Sequence, residues 1–269
     1  MPKKTKQDGK YAQILVAVIN KKIDPKNPPG SVEFDRSELD AAAEKLGHDI
    51  RNMPDAAYYL RSRAKALPQA IAKFGFSTLM SVGKGRFRLT KDVNDITLPA
   101  KIENRELDGN KIPKVVREIM LADEQSILCA MQYTSMLDDF LGAKCHRVLG
   151  HLRTTGPSKE QVEADEVYVA QKNGKTFVIS IEAKGEKEKL GYSQMKATIK
   201  AVRKKFAEYP VIAIGIKQLK DGKILVLEFE CTLKGDDVSQ IKLKKVVRYS
   251  VHPTPTKWPQ SEEASPLAE

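Results

Sequence analysis

The dipeptide Asn173-Gly174, which lies between two apolar stretches, constrains the fold of this chain more than any other feature. Asn-Gly strongly favours a two-residue type I′ turn, because both central residues of that turn need a positive φ. Such a turn sets the register of a β-hairpin, with Lys172 opposite Lys175. We therefore predict two antiparallel strands, over 164–171 and 175–183.

The predicted register brings four charged side chains onto one patch of the hairpin. Counting outward from the turn, Asp165 lies opposite Glu182, and Glu163 lies opposite Lys184. Directly opposed Cβ atoms are about 4.5–5.5 Å apart, so two facing carboxylates repel each other unless a cation lies between them. Oxygen ligands with open coordination positions suit Mg²⁺ or Mn²⁺. The hairpin therefore predicts a divalent cation site with Lys184 beside it.

The segments around the hairpin predict an α/β fold. Apolar residues recur at helical spacing from Val115 to about Leu141, and a second helix is predicted over 191–207. Two more strands are predicted over 211–217 and 223–231. This order of helices and strands is typical of a mixed sheet flanked by helices.

The first part of the chain predicts a smaller, mostly helical domain. One helix is expected to start with Ser37 as its N-cap, and a second is expected to start after Met53. Two strand-like runs around Gly83-Lys84-Gly85 then predict a hairpin. This order resembles a winged helix-turn-helix, which implies DNA contacts from its second helix and its hairpin. The basic residues assigned to DNA on this basis are Arg61, Arg63, Lys65, Lys84, Arg86 and Arg88.

The larger domain carries a motif that resembles the PD-(D/E)XK nuclease superfamily, which has the restriction-endonuclease-like fold. The matching residues are Asp165 and then Glu182-Ala183-Lys184 at the end of an apolar strand. Ala164 stands where the proline that names the motif is expected. The resemblance implies metal-dependent hydrolysis of phosphodiester bonds, with Asp165 and Glu182 as metal ligands. It also implies the Ala183 carbonyl as a further ligand and Lys184 as the residue that assists the attacking water.

Further residues are assigned to the same predicted site or to its DNA contacts. Glu124, in the helix before the hairpin, is the candidate for another metal ligand. Glu163 is a candidate accessory residue, either as a ligand at a second site or as the partner of Lys184. Gln194 resembles a glutamine that occurs in some branches of the superfamily. The basic run after the motif, which includes Lys187 and Lys189, is expected to hold the DNA backbone.

These features divide the chain into four predicted parts. The boundaries are 1–98 for the winged-helix-like domain, 99–113 for a linker, 114–251 for the nuclease domain and 252–269 for a disordered tail.

Composition indicates which class of partner and which cellular compartment to expect. The net charge of +11 favours a polyanion such as nucleic acid. Three widely spaced cysteines argue against a disulfide framework or a zinc site, and they suit the reducing cytoplasm. The longest apolar stretches fall well short of the ~20 residues of a membrane helix. The sequence has no phosphate-binding glycine loop, so we expect no nucleotide cofactor.

The sequence therefore predicts a Mg²⁺-dependent DNA endonuclease in the cytoplasm, with Mn²⁺ as a substitute metal. Its expected substrate is double-stranded DNA, cut at a specific sequence by a homodimer in the manner of a type II restriction endonuclease. Two alternatives stay open at this point. One is a structure-specific nuclease of DNA repair or recombination. The other is a non-catalytic winged-helix regulator, in which the charges of the hairpin are ordinary surface charges.

Overall fold

The computed structural model describes residues 9–51, 53, 67–91, 95–155, 161–234 and 237–259. The chain divides into two compact units, Met1–Asn94 with Thr155–Gln161 and Asp95–Thr154 with Val162–Glu269. Cys129, Cys145 and Cys231 are all free thiols. Within the described ranges, no helix has the length and apolar character needed to cross a membrane.

The first unit packs helices and a three-stranded sheet around one core. Its elements are α1 (Lys10–Lys22), β1 (Ser31–Asp35), α2 (Arg36–Lys45), α3 (Gln69–Ala72), β2 (Thr78–Gly83) and β3 (Arg86–Thr90). The strands lie in the order β1-β3-β2, and both pairings are antiparallel. The buried centre includes Ile14 and Leu15 of α1, Leu39 of α2, Ile71 of α3 and Leu89 of β3.

The predicted hairpin over Gly83-Lys84-Gly85 is confirmed, but two other details of the first unit differ from prediction. The N-cap of α2 is Asp35, not Ser37, because Asp35 and Glu38 form a reciprocal capping box. Strand β1 was not predicted, because its single Val and Phe give too short an apolar pattern. The helix predicted after Met53 falls mainly on 54–66, which lies outside the described residues.

The second unit is built on a seven-stranded mixed sheet, which confirms the predicted α/β class. The sheet order is β4-β10-β9-β8-β7-β6-β5, with β7–β8 and β4–β10 parallel. Its strands are β4 (Glu103–Asp108), β5 (Cys145–Thr155), β6 (Gln161–Lys172), β7 (Lys175–Lys184), β8 (Val211–Gln218), β9 (Ile224–Lys234) and β10 (Asp237–His252). Its helices are α4 (Lys114–Ile119), α5 (Glu124–Thr134), α6 (Met136–Leu141) and α7 (Tyr192–Lys205).

Helices cover both faces of this sheet. Side chains of α5 and α6 form one core with the odd-numbered residues Ile179 and Ile181 of β7. On the other face, Met195 and Ile199 of α7 pack against strands β8 and β9. Because successive residues of a strand point to opposite faces, the even-numbered side chains at the end of β7 lie on the α7 side.

The predicted linker over 99–113 is wrong, because residues 103–108 form β4 and pair in parallel with β10 at the edge of the sheet. The predicted disordered tail is wrong for 252–259. Within this segment Trp258 is 3 % exposed, and its indole N–H donates to the Leu121 carbonyl at 2.9 Å. Gly109 also approaches this segment closely, since a Cβ there would collide with the Pro253 carbonyl. Residues 260–269 lie outside the described part of the chain.

The continuous helical pattern from Val115 to Leu141 is interrupted twice. Met120 leaves the helical conformation after α4, and Asp123 then caps α5 by accepting a hydrogen bond from the Ser126 amide at 2.8 Å. Ser135 has a φ of 55° and separates α5 from α6. The first break allows a new helix to begin at Glu124.

Candidate active site

The hairpin β6–β7 has the predicted register. Lys172 pairs with Lys175, and the pairing continues without a bulge to Glu166 opposite Ile181. The turn residues Asn173 and Gly174 have φ angles of 51° and 72°, as a type I′ turn requires. Continued by one residue, the same register sets Asp165 against Glu182.

The charged end of β7 is organised around the ammonium group of Lys184. Its Nζ lies 2.9 Å from Glu124 Oε1, 3.0 Å from Glu182 Oε1 and 2.8 Å from the carbonyl oxygen of Ala183. The lysine is only 8 % exposed, and so is Glu182. The structure thus brings the predicted helix acid, the strand acid and the predicted backbone ligand to one buried cation.

Two further contacts hold the carboxylates in place. Asp165 Oδ2 accepts a hydrogen bond from the Ala183 amide at 2.7 Å, so this carboxylate lies against the backbone between Glu182 and Lys184. The second oxygen of Glu182 accepts a hydrogen bond from the Thr198 hydroxyl of α7 at 3.1 Å. The site therefore draws on three elements: α5, the β6–β7 hairpin and α7.

Burial raises the pKa of every carboxyl group in this cluster. Desolvation raises the pKa of Asp165 and of Glu182, and their mutual repulsion adds to the shift of Glu182. The pKa of Glu124 rises to about 7, chiefly through burial and then through a hydrogen bond with the Glu188 carboxyl group. Lys184 opposes all three shifts, but its single charge does not cancel them.

The pKa of Lys184 itself is raised. Burial alone would lower it, but the negative charges of Glu182, Glu124 and Asp165 outweigh that effect. Three carboxylates against one ammonium leave the cluster with a formal charge of −2. The three carboxyl groups and the lysine all have raised pKa values. An excess of negative charge in a buried cluster produces this effect, because it favours the protonated form of every group.

This donor set fits a hard divalent cation by its chemistry. All the candidate ligands are oxygen atoms, which Mg²⁺ and Mn²⁺ prefer, and one divalent charge would balance the formal −2. In the described part of the chain, no three His, Cys, Asp or Glu side chains lie close enough together to form a ready-made metal site. Three of the candidate oxygens instead converge on Lys184 Nζ.

Glu163 does not pair with Lys184, so that expectation is wrong. Its carboxylate binds two residues of β5, with Oε1 2.9 Å from His151 Nδ1 and Oε2 3.2 Å from Arg153 Nε. His151 has a φ of 50°, which is unusual for a residue within a strand. Because Glu163 and Asp165 are two apart on β6, this three-residue group lies on the same face of the sheet as the site.

The loop after β7 is held by a second lysine, Lys217. Lys217 is the partner of Lys184 across the parallel pair β7–β8, and its ammonium donates to the carbonyls of Gly185 and Glu186. Burial lowers the pKa of Lys217 to about 8. The loop carries Glu188, whose carboxyl group meets Glu124. Lys217 thus contacts the backbone next to the cluster rather than its carboxylates.

Gln194 lies in the first turn of α7 and is half-buried. It precedes Thr198 by one helical turn, so the two residues share a face of α7. The loop residue Lys187 is exposed and Lys189 is half-buried.

The basic residues predicted to contact DNA in the first unit have different environments. Lys84 is exposed at the tip of the hairpin β2–β3. Arg86 and Arg88 both pair with Glu33 of β1, at 3.0 Å and 2.5 Å, so one carboxylate already offsets part of their charge. Arg61, Arg63 and Lys65 lie outside the described residues.

Sequence reasoning missed Thr198, Glu188 and Lys217. Thr198 has no distinguishing signal, because a single threonine on a helix is common. Lys217 offered a weak signal as a lysine that directly follows the apolar run 211–216. Glu188 offered another, as one of few acids in a strongly basic stretch.

In comparisons with models of protein families, with curated proteins and with solved structures, no match to this chain was found.

Proposed function

We propose that this chain is a metal-dependent nuclease of the PD-(D/E)XK type that hydrolyses phosphodiester bonds in double-stranded DNA. The observation that carries the proposal is the convergence of Glu124, Glu182 and the Ala183 carbonyl on Lys184, with Asp165 beside them. A structural ion pair needs one carboxylate for one lysine. Burying three around one lysine costs stability, which favours a functional reason for the excess charge.

In the proposed reaction, Asp165, Glu182 and the Ala183 carbonyl hold Mg²⁺ or Mn²⁺, and Glu124 is the additional carboxylate. When bound, the ion lowers the pKa of a water molecule and offsets negative charge on the phosphate. Lys184 orients the attacking water or a phosphate oxygen by donating hydrogen bonds from its ammonium group. Thr198 keeps the Glu182 carboxylate in one orientation through its hydroxyl group.

The finer proposal is a type II restriction endonuclease whose first unit is a winged-helix DNA-binding domain. The order of helices and strands in that unit, its glycine-containing hairpin and the sheet order β1-β3-β2 support a winged helix. A DNA-binding unit in the same chain as a nuclease unit suits an enzyme that selects its cutting sequence, and a palindromic site would suit a homodimer.

The test is cleavage of a mixed-sequence supercoiled plasmid in Mg²⁺ or in EDTA. Wild type is compared with Lys184→Ala and Glu182→Ala. Glu228→Gln is the matched control, because Glu228 is as buried as Glu182 and lies in the same sheet. Glu228 pairs with Ile214 and Glu182 with the next residue, Gly215, so the two acids lie on opposite faces.

We expect Mg²⁺-dependent cleavage by wild type and by the Glu228 variant, and at least about a 100-fold loss in both site variants, as for loss of a key electrostatic group. Discrete fragments would support the restriction enzyme, whereas a smear or nicking would favour a repair-type nuclease. DNA binding without cleavage in any metal, unchanged in the site variants, would contradict the nuclease and favour the regulator.

A further inference from the structure

We propose that the ammonium group of Lys184 is the resident counter-ion of this site, and that a divalent cation binds by displacing it from the shared oxygens. The inference rests on the proposed function, because it concerns how the nuclease site takes up its metal. Lys184 is thus more than a residue that assists the attacking water. It also keeps the site folded when no divalent cation is bound.

Lys184 binds the same oxygen atoms that a metal ion would use. Lys184 Nζ binds Glu124 Oε1, Glu182 Oε1 and Ala183 O at 2.8–3.0 Å. These three oxygens belong to three of the four groups proposed as metal ligands. An ammonium group has three hydrogens to donate, so all three are used by the oxygens that a metal ion would need. A metal ion and the ammonium therefore compete for the same atoms.

The burial of Lys184 and Glu182 makes the loss of the lysine costly. Lys184 and Glu182 are each 8 % exposed, so water has little access to the ammonium group or to the Glu182 oxygen that it binds. Removal of a buried cation leaves its carboxylates unpaired, which is strongly destabilising. Without Lys184, the three carboxylates of the cluster would need an external cation, and their oxygen atoms suit a hard divalent ion.

The neighbouring Lys217 provides a matched control for this effect. Its Cα is the cross-strand partner of that of Lys184, so both lysines lie at the same end of adjacent strands. Lys217 donates to the carbonyls of Gly185 and Glu186, which are not proposed metal ligands. Its removal changes the local charge by the same amount but frees none of the three shared oxygens.

The test is Mn²⁺ binding to the full-length chain without DNA, measured by isothermal titration calorimetry. We expect Lys184→Met to bind Mn²⁺ at least about 10-fold more tightly than wild type, because the competing cation is gone, and Lys217→Met to stay within about 3-fold. Thermal unfolding gives a second readout. Lys184→Met should melt well below wild type in EDTA and should recover most of this loss in Mn²⁺, whereas wild type should gain little.

Lys184→Gln is the second variant, to be used if Lys184→Met does not fold. Its amide still donates hydrogen bonds to the carboxylates but carries no charge, and we expect the same direction of change. Equal or weaker Mn²⁺ binding in the folded Lys184 variants, or no Mn²⁺ binding to any of them, would overturn the proposal. Equal tightening in Lys217→Met would also overturn it, since long-range charge would then explain the effect.

The cleavage assay separates this inference from the proposed function. If wild type cuts DNA with Mg²⁺ but the Lys184 variants bind Mn²⁺ no more tightly, the counter-ion role is wrong and the nuclease stands. If the Lys184 variants bind Mn²⁺ tightly but wild type cuts no DNA, the counter-ion role stands and the nuclease is wrong.

Discussion

Single residues in the cluster have protonation properties that solvent-exposed side chains do not have. Glu124 lies at the start of α5, where the helix dipole favours a negative charge, and it also pairs with Lys184. Burial and the hydrogen bond with Glu188 nevertheless raise its pKa to about 7. The carboxyl group of Glu124 therefore changes its protonation near neutral pH, and this change should be measurable in the stability of the folded chain.

We expect Glu124 to make the folded chain less stable as the pH rises from about 4.5 to about 7. The folded state holds its proton up to about pH 7, whereas the unfolded state releases it near the ordinary value of 4.5. The stabilisation from this group is thus fully present below pH 4.5 and is lost as the pH rises through 7. Glu124→Gln should lack this part of the slope in urea unfolding at pH 5, 6 and 7.5.

Glu106→Gln is the control for this measurement, because Glu106 is an exposed acid of the edge strand β4. It should keep the wild-type dependence on pH. A slope in Glu124→Gln equal to that of wild type would show that the Glu124 carboxyl group titrates in the folded chain much as it does in the unfolded chain.

At the scale of elements, the sheet is completed by segments that have little strand character in the sequence. Strand β4 consists of four charged residues, one asparagine and one leucine, and it is stabilised by its parallel pairing with β10. The segment after β10 then crosses to the helices, where the Thr256 amide donates to the Arg117 carbonyl and Trp258 is buried. This segment is part of the core of the second unit.

Trp258→Ala should therefore lower the free energy of unfolding by about 3–5 kcal/mol, as for other large aromatic residues removed from a core. Trp258→Phe keeps most of the buried ring area but loses the hydrogen bond to Leu121, so about 1 kcal/mol of its cost comes from that bond. Urea unfolding followed by circular dichroism gives both values. Fluorescence is unsuitable, because Trp258 is the only tryptophan. A loss below about 1 kcal/mol in Trp258→Ala would mean that the segment contributes little to the fold.

At the scale of the whole molecule, the net charge of +11 does not mean that every basic side chain is available to contact DNA. Some basic side chains are already paired, such as Arg86 and Arg88 with Glu33. Others are exposed, such as Lys84 in the first unit and Lys187 in the second. The total charge therefore overstates the number of phosphate contacts that this protein can form.

Lys84→Ala and Lys187→Ala should each reduce the slope of log Kobs against log salt by about 0.9, because each removes one phosphate contact. Fluorescence anisotropy with labelled duplex DNA in EDTA measures this slope without cleavage. Lys175→Ala is the control, since Lys175 begins β7 about 30 Å along the strand from Lys184 and is exposed. An unchanged slope in either test variant would show that the substituted lysine does not contact a DNA phosphate.

Much of the site could be predicted from sequence, because its central part is local. The Asn173-Gly174 turn dictates a two-residue hairpin, and alternation along two strands then places Asp165, Glu182 and Lys184 on one face. The apolar run before Glu182 also indicated a buried strand. These relations depend on backbone geometry over short distances, so they hold whatever the rest of the chain does.

The other partners depended on tertiary packing. Glu163 was expected to pair with Lys184 across the hairpin, but β5 lies on the other side of β6 and offers His151 and Arg153. Lys184 in turn is bound by Glu124, because the break before α5 brings the start of that helix to the end of β7. A long charged side chain can reach several neighbours, and only the packed arrangement decides which one it meets.

The sequence by itself therefore determined the α/β class, the hairpin register and the acidic and basic residues at its end, because turn geometry and strand alternation act locally. Only the tertiary structure decided that 103–108 and 252–259 belong to the second unit, that Thr198 holds Glu182, and that three oxygens surround Lys184. Edge pairing and side-chain contacts across distant segments depend on which surfaces remain to be buried once the core has formed. That information is distributed over the whole chain rather than carried by any local pattern.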